Sequence, residues 1–312
     1  MVLLLQYLLL FASVLALVAL GGCFSEHSGV INLGLEGVMV IGALGGALVL
    51  KYMPVDAPSF FTVILTILGA IGAGMLYSTL LGVAAIHFKA DQTLVGTAMN
   101  LLATALSAVI VKAINLHADS SDVSSVVYYI DNRPDLTVNI GSFEFNWFML
   151  VALAAIIVSY IVLYKTRFGL RLMACGENPQ AANSVGIDVI KMRWAGVLIS
   201  GMLGGLGGIA YVTAGSSWTF ENGVAGYGFL ALAVMIFGQW KPHRIGLAAL
   251  LFGFFRSLGS VYSGIPLLAS LGIPSTVYNL LPYVISLIVL AFSSKNSAAP
   301  SAEGIPYDKS MR

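Results

Sequence analysis

The sequence predicts an all-α polytopic membrane protein with about eight to nine transmembrane helices, some of them broken or re-entrant. Three observations lead there. Of 312 residues, 58% are hydrophobic and only 9% are charged, whereas soluble domains carry roughly 25% charged residues. The mean hydropathy is +0.92. The apolar residues also fall in runs long enough to cross a hydrocarbon core, which takes about 20 residues of helix. A formal charge of +1, from fifteen Lys/Arg against fourteen Asp/Glu, supplies no basic stripe for nucleic acid. Soluble enzymes and nucleic-acid binders are excluded together.

Taken in order, the runs cover about 3–20, 30–50, 60–86, 92–113, 147–164, 194–213, 245–262 and 276–292. A ninth, 228–240, is too short for an ordinary span and has the length of a re-entrant or broken segment. The residues from 1 to 292 read as one transmembrane domain, and the Ser-, Ala- and Pro-rich tail 293–312 reads as disordered. Cys23 and Cys175 form no CxxC pair, so neither zinc nor a disulfide framework is expected. Leu20-Gly21-Gly22-Cys23 looks like a lipoprotein cleavage box, but no basic residue precedes the apolar run as a secretory signal requires.

Loop charges set the direction. The segment 165–193 holds Lys165, Arg167, Arg171, Lys191 and Arg193 against Glu177 and Asp188, a net of +3. The segment 115–146 holds five acids against Arg133, a net of −4. Lys/Arg excess marks cytoplasmic loops. With 228–240 crossing, eleven of the fifteen basic residues face the cytoplasm. The expected topology therefore has the N-terminus outside, the C-terminus inside, an extracytoplasmic loop at 115–146 and a cytoplasmic one at 165–193. The outer loop suggests a small hairpin through Tyr128-Tyr129-Ile130 and Leu136–Ile140.

Inside the spans, Gly42/Gly46, Gly69-Gly72-Gly74 and Gly201/Gly205 with Gly204/Gly208 are spaced for close helix approach, either within the chain or between subunits. Asn32 and Glu36 open the second run in a Gly-interrupted stretch, where an ionisable group is costly and signals a function or a buried partner. Glu36 either stabilises a broken helix or lines a translocation path. Asn100 either bonds across helices or contacts substrate. Trp218, Phe220 and Asn222 sit at the outer boundary, as an aromatic belt or as a substrate gate.

The most informative stretch is Arg167–Arg193. Asn178 is a good N-cap, Pro179 suits the first helical position, and Gly186 suits the left-handed residue after the last turn. A helix of about two turns is marginal alone. Such full punctuation therefore indicates either an ordinary capped turn or a docking surface for a cytoplasmic partner.

GENPQAANSVGI followed by the Gly-rich Ser200–Gly208 resembles the permease subunits of ABC importers, specifically the branched-chain amino acid and simple-sugar permease family and its nucleoside-transporting branch. Ser28–Ala43, Ala90–Ala103 and Gly226–Pro242 agree, so the resemblance runs in order from about residue 10 to 293. It implies a fold like that of type II ABC importer permeases and a coupling role for Gly176, Glu177, Asn178, Pro179, Ala181, Ala182, Gly186 and Ile187. It further implies an ATP-binding cassette ATPase, a second permease that is often a paralogue, an extracytoplasmic binding protein or lipoprotein, and a bacterial inner-membrane location. No cofactor or metal is implied.

The chain contains no GxxxxGK[ST] phosphate loop, so an ATPase partner or another energy source is needed. The expected substrate is a nucleoside, with simple sugars or branched-chain amino acids as alternatives. A secondary transporter or channel would show intramembrane carboxylates or inverted repeats, whereas Glu36 supplies one carboxylate, Arg256 adds one cation, and no convincing repeat is visible. An intramembrane enzyme fares worse, because His27, His87, His117 and His243 fall near span ends without HExxH or GxSxG. The expectation is a transport subunit rather than an enzyme.

Overall fold

The computed structural model describes residues 2–129, 136–214, 219–264, 270, 272, 274–293 and 299–309. In chain order the helices are α1 (Val2–His27), α2 (Leu35–Tyr52), α3 (Ser59–Gly82), α4 (Gln92–Ala118), α5 (Trp147–Lys165), α6 (Arg167–Glu177), α7 (Pro179–Ser184), α8 (Val189–Ala214), α9 (Tyr227–Phe237), α10 (Pro242–Val261) and α11 (Ser275–Ser293). A π-turn, Val83–His87, extends α3. Seven of these helices are long and apolar enough to cross a membrane, and two apolar stretches, Tyr227–Phe237 and Thr276–Ile288, are shorter. The fold is thus the all-α polytopic one expected.

Helix α8 is its axle. It packs against α1, α2 and α3, and 72% of its apolar window is enclosed, against 22% for α3 with its π-turn. The glycines explain the closeness: a Cβ on Gly42 of α2 would fall on the backbone of Gly205, and one on Gly74 of α3 would fall on the carbonyl of Gly201. Small residues at such crossings let backbones touch where lipid supplies no hydrophobic drive. Of the glycine clusters read from the sequence, these residues pack within the chain, whereas Gly72 faces open space.

The outer loop differs in detail from the expected hairpin. β2 (Thr137–Ile140) pairs antiparallel with β3 (Phe143–Asn146), not with Tyr128–Ile130. β1 (Val127–Tyr128) pairs instead with β4 (Thr219–Phe220), ninety residues on in the chain order of elements and joined only by folding. Alternation in a short run announces a strand but not its partner. Ile130 lies outside the described residues.

The tail also departs from expectation. Residues 299–309 are not a loose end but lie across the face that carries α6 and α7. Its low hydrophobicity argued for disorder, but it has backbone partners to meet. The Ala302 N–H donates to the Gly176 carbonyl (2.8 Å) and the Gly304 N–H to the Gly29 carbonyl (3.3 Å).

Candidate coupling face and membrane path

The candidate coupling face starts from local chemistry. Thr166 caps α6, its hydroxyl accepting from Gly169 N–H (3.2 Å). α6 then buries Gly169, Leu172, Cys175 and Gly176 along one side, and Gly176 is fitted so closely to the end of α1 that a Cβ would strike the His27 carbonyl. At Asn178 the chain turns: its Oδ1 accepts from Ala181 N–H (2.9 Å), Pro179 occupies the first turn of α7, and Gly186 follows at φ +85°. The capped helix inferred from Asn178, Pro179 and Gly186 is therefore present as read.

Its orientation is less obvious from sequence. Ala182 is 3% exposed and packs with Cys175 and Val189, while Ala181, Gln180, Ser184 and Gly186 face out and Val185 is 76% exposed. Glu177 and Asn178 are also exposed, Pro179 is buried and Ile187 half-buried. Glu177 is engaged by the tail, its Oε2 accepting from Ser301 Oγ (2.9 Å). Burial pushes the Cys175 thiol up to about 11, so it is a packing residue and not a thiolate. Asp188, beside α8, is held below the usual carboxylate range chiefly by the Lys191 backbone N–H (3.1 Å).

Behind α7 lies a buried cation. Arg193 is 1% exposed, and its Nη2 donates to the Ile305 carbonyl (2.9 Å) while the Tyr307 ring sits 5.9 Å away. Lys89 and Asp308 close the tail's far end at 2.6 Å. Glu303 is directed inward to the carboxyl of Glu26, and burial raises its pKa above the usual carboxylate value. None of these tail contacts was legible in the sequence, because each joins residues more than 100 positions apart.

The residues proposed for a membrane path are mostly occupied. Asn32 is fully buried, its Nδ2 donating to Ser200 Oγ (2.9 Å) and its Oδ1 accepting from Gly34 N–H (3.1 Å). Asn100 accepts from Gly37 N–H (2.8 Å) and donates to the Leu33 carbonyl (2.9 Å), while the Ile31 N–H finds Gln92 Oε1 (2.7 Å). Together they satisfy the non-helical backbone at 28–34, a condition for irregular chain at membrane depth.

Glu36 does the same for a different helix. Its Oε1 accepts from Gly226 N–H (2.8 Å) and its Oε2 from Gly228 N–H (2.6 Å). A carboxylate there meets the positive end of α9. The far end of α9 is pinned at the other side, where the Trp240 carbonyl accepts from Cys23 Sγ (3.2 Å) and lies 3.0 Å from His27 Nε2, and Trp240 Nε1 donates to Glu26. The short run 228–240 is thus a half-helix that starts at the level of Glu36 and ends beside α1's last turn.

Phe220 is fully buried in the β1–β4 pair, and Asn222, at φ +62°, donates to the Ser125 carbonyl (2.8 Å). Trp218 lies outside the described residues. Two residues that sequence reasoning passed over stand near them. Arg256 drew notice only as a charge within a span, and Tyr211 drew none; they face one cavity. An isolated arginine in an apolar run was the available signal.

The family model described as "Branched-chain amino acid transport system / permease component" matches residues 4–291. The chain is similar to the guanosine ABC transporter permease protein NupQ of Bacillus subtilis, 39% identical over 97% of this chain and 96% of that protein. It is also similar to the nucleoside ABC transporter permease protein NupC of Lactococcus lactis, 40% identical over 97% and 96%. A further guanosine ABC transporter permease protein of B. subtilis, NupP, is 26% identical over 87% of this chain and 75% of its own length. With the match extending over residues 4–291, the chain belongs to the branched-chain amino acid transport system permease family, whose members are membrane-embedded permease subunits of ABC transporters.

Proposed function

We propose that this chain is one permease of an ATP-driven nucleoside importer, set in the bacterial cytoplasmic membrane with its N-terminus outside and its C-terminus inside. The observation that carries the reading is full-length identity near 40% to permeases named for guanosine and nucleosides, joined to a capped helix presented at one face. ATP hydrolysis belongs to a partner subunit that seats α7 in a groove, and a binding protein or lipoprotein delivers substrate on the opposite face. The second permease is a paralogue, as the two guanosine permeases of B. subtilis suggest. Closure of the ATPases pushes on α7, and α6 passes the push to α1 and α8, shifting the pair between outward- and inward-facing states that bind substrate with different affinity.

Because Ala182 is turned inward and Val185 outward, the coupling test belongs on Val185. Val185→Asp in the assembled importer is expected to abolish ATP-dependent uptake of labelled guanosine while the subunit still inserts. Undiminished uptake sinks the coupling assignment. Competition by uridine, but not by ribose or leucine, is the expected substrate pattern. Leucine outcompeting nucleosides would move the chain to the amino acid branch.

A further inference from the structure

A cavity of about 410 Å³ lies between the ends of α1, α8 and α10 remote from α7, roofed by the segment 219–223. That volume falls within the roughly 300–1,000 Å³ of small-molecule sites. Three aromatic side chains line it: Tyr7 and Phe11, with ring centroids 6.0 Å apart, and Tyr211. Tyr227 backs both, 5.9 Å from Phe11 and 4.6 Å from Tyr211.

Two charges complete the lining. Arg256 lies 4.8 Å from the Phe11 centroid, and its Nη1 donates to Asn279 Oδ1 (2.8 Å) and Ser260 Oγ (3.3 Å). No carboxylate among the described residues forms an ion pair with it. An arginine at this depth, oriented by two neutral acceptors and a ring face, is poised toward a ligand and not spent on a structural pair. Glu221 is exposed at the mouth, its Oε1 accepting from Thr219 Oγ1 (3.2 Å).

Resting on the nucleoside reading above, we propose that this cavity is a nucleoside-binding subsite within a single permease. The base stacks on the half-buried Tyr211 ring, a contact that every base can make, beside the Arg256 guanidinium that covers the Phe11 face. Arg256 donates to base acceptors as guanidinium does to purine O6 and N7, and Glu221 accepts from ribose hydroxyls. One cation balanced by one carboxylate favours a neutral ligand with both donors and acceptors. A phosphate would meet Glu221 without a second cation to offset it, so nucleotides are excluded.

The test is photolabelling of the full chain in membranes containing the whole importer, with 8-azidoguanosine as probe. Label is expected on the segments carrying Phe11 or Tyr211, competed by guanosine and uridine but not by guanosine monophosphate or leucine. Glu221→Gln, at an exposed position that leaves the fold intact, and Arg256→Lys, which keeps charge but loses the planar fork, are each expected to cut labelling about tenfold. Label elsewhere, or undiminished label in both variants while the importer still takes up guanosine, overturns the subsite alone. Leucine or ribose displacing the probe as well as guanosine overturns the ligand class. An unmodified importer that takes up no nucleoside overturns the transport reading and the subsite with it.

Discussion

Single polar side chains hold this molecule together where the helices break. Asn32, Asn100 and Gln92 each bond backbone that has no helical partner, and Glu36 binds two N–H groups of a helix 190 residues away in sequence. Hydrogen bonds to a charged group contribute roughly 1.5–3 kcal/mol each net. Glu36→Gln keeps one acceptor and loses the charge, so a loss of about 1–3 kcal/mol is expected in thermal unfolding of the purified chain, with Glu36→Ala losing more. Equal melting of both variants and the parent would refute a capping role. Asn178→Ala, which removes the acceptor for Ala181 N–H, is expected to cost about 1 kcal/mol and to lower uptake more than insertion, read by transport against membrane abundance. The sequence made Asn178, Pro179 and Gly186 legible because capping is local chemistry over three to eight residues. It marked Glu36 as unusual yet could not supply Gly226 and Gly228, since nothing local says which distant backbone a buried carboxylate will reach.

Among the elements, the half-helix α9 and the tail depart furthest from a simple row of spans. The length of 228–240 pointed to a broken crossing, and the structure supplies its cause in a carboxylate that lets α9 begin inside the bundle. The tail was misread because composition reports on the hydrophobic drive to fold, whereas this segment is ordered by backbone bonds to Gly176 and Gly29 and by acceptance from Arg193. Its docking carries a pH dependence. Burial raises the Glu303 pKa in the docked state, where it meets the Glu26 carboxyl, so a proton shared by that pair favours docking. That contribution is complete below the ordinary carboxylate value of about 4.3 and is lost as pH rises through the raised value. Proteolysis of residues 299–309 in detergent should therefore speed up with rising pH across that window, and Glu303→Gln should flatten the profile. A parent profile that is already flat would rule the mechanism out.

At the scale of the whole molecule, α8 determines whether the bundle exists. A Cβ at Gly208 would meet the Met39 carbonyl, so Gly208→Val is expected to cost about 1–3 kcal/mol through overpacking and to lower the yield of folded chain in fluorescence-detected size exclusion. Glycine spacing announced this crossing in the sequence, but the choice of α2 and α3 as partners depends on tertiary geometry that no period encodes. Of the basic residues that set the expected direction, Lys89 and Arg193 meet the tail and Lys191 pairs with Asp188 just after α7.

That face is built from distant parts of one chain. Gly29 and Glu26 lie near its beginning, Arg193 near its middle, and the strip 299–309 is translated only after every membrane-crossing helix described above. Its late translation means that this face is assembled after the helices it covers. A released chain that stops short of residue 299 keeps the helices described above yet has a bare Arg193 and an unbacked α7. Such shortened chains are expected to retain the ATPase subunit poorly in co-purification, whereas chains that include 299–309 retain it, so that the energy source is recruited only to permeases whose synthesis has passed α11.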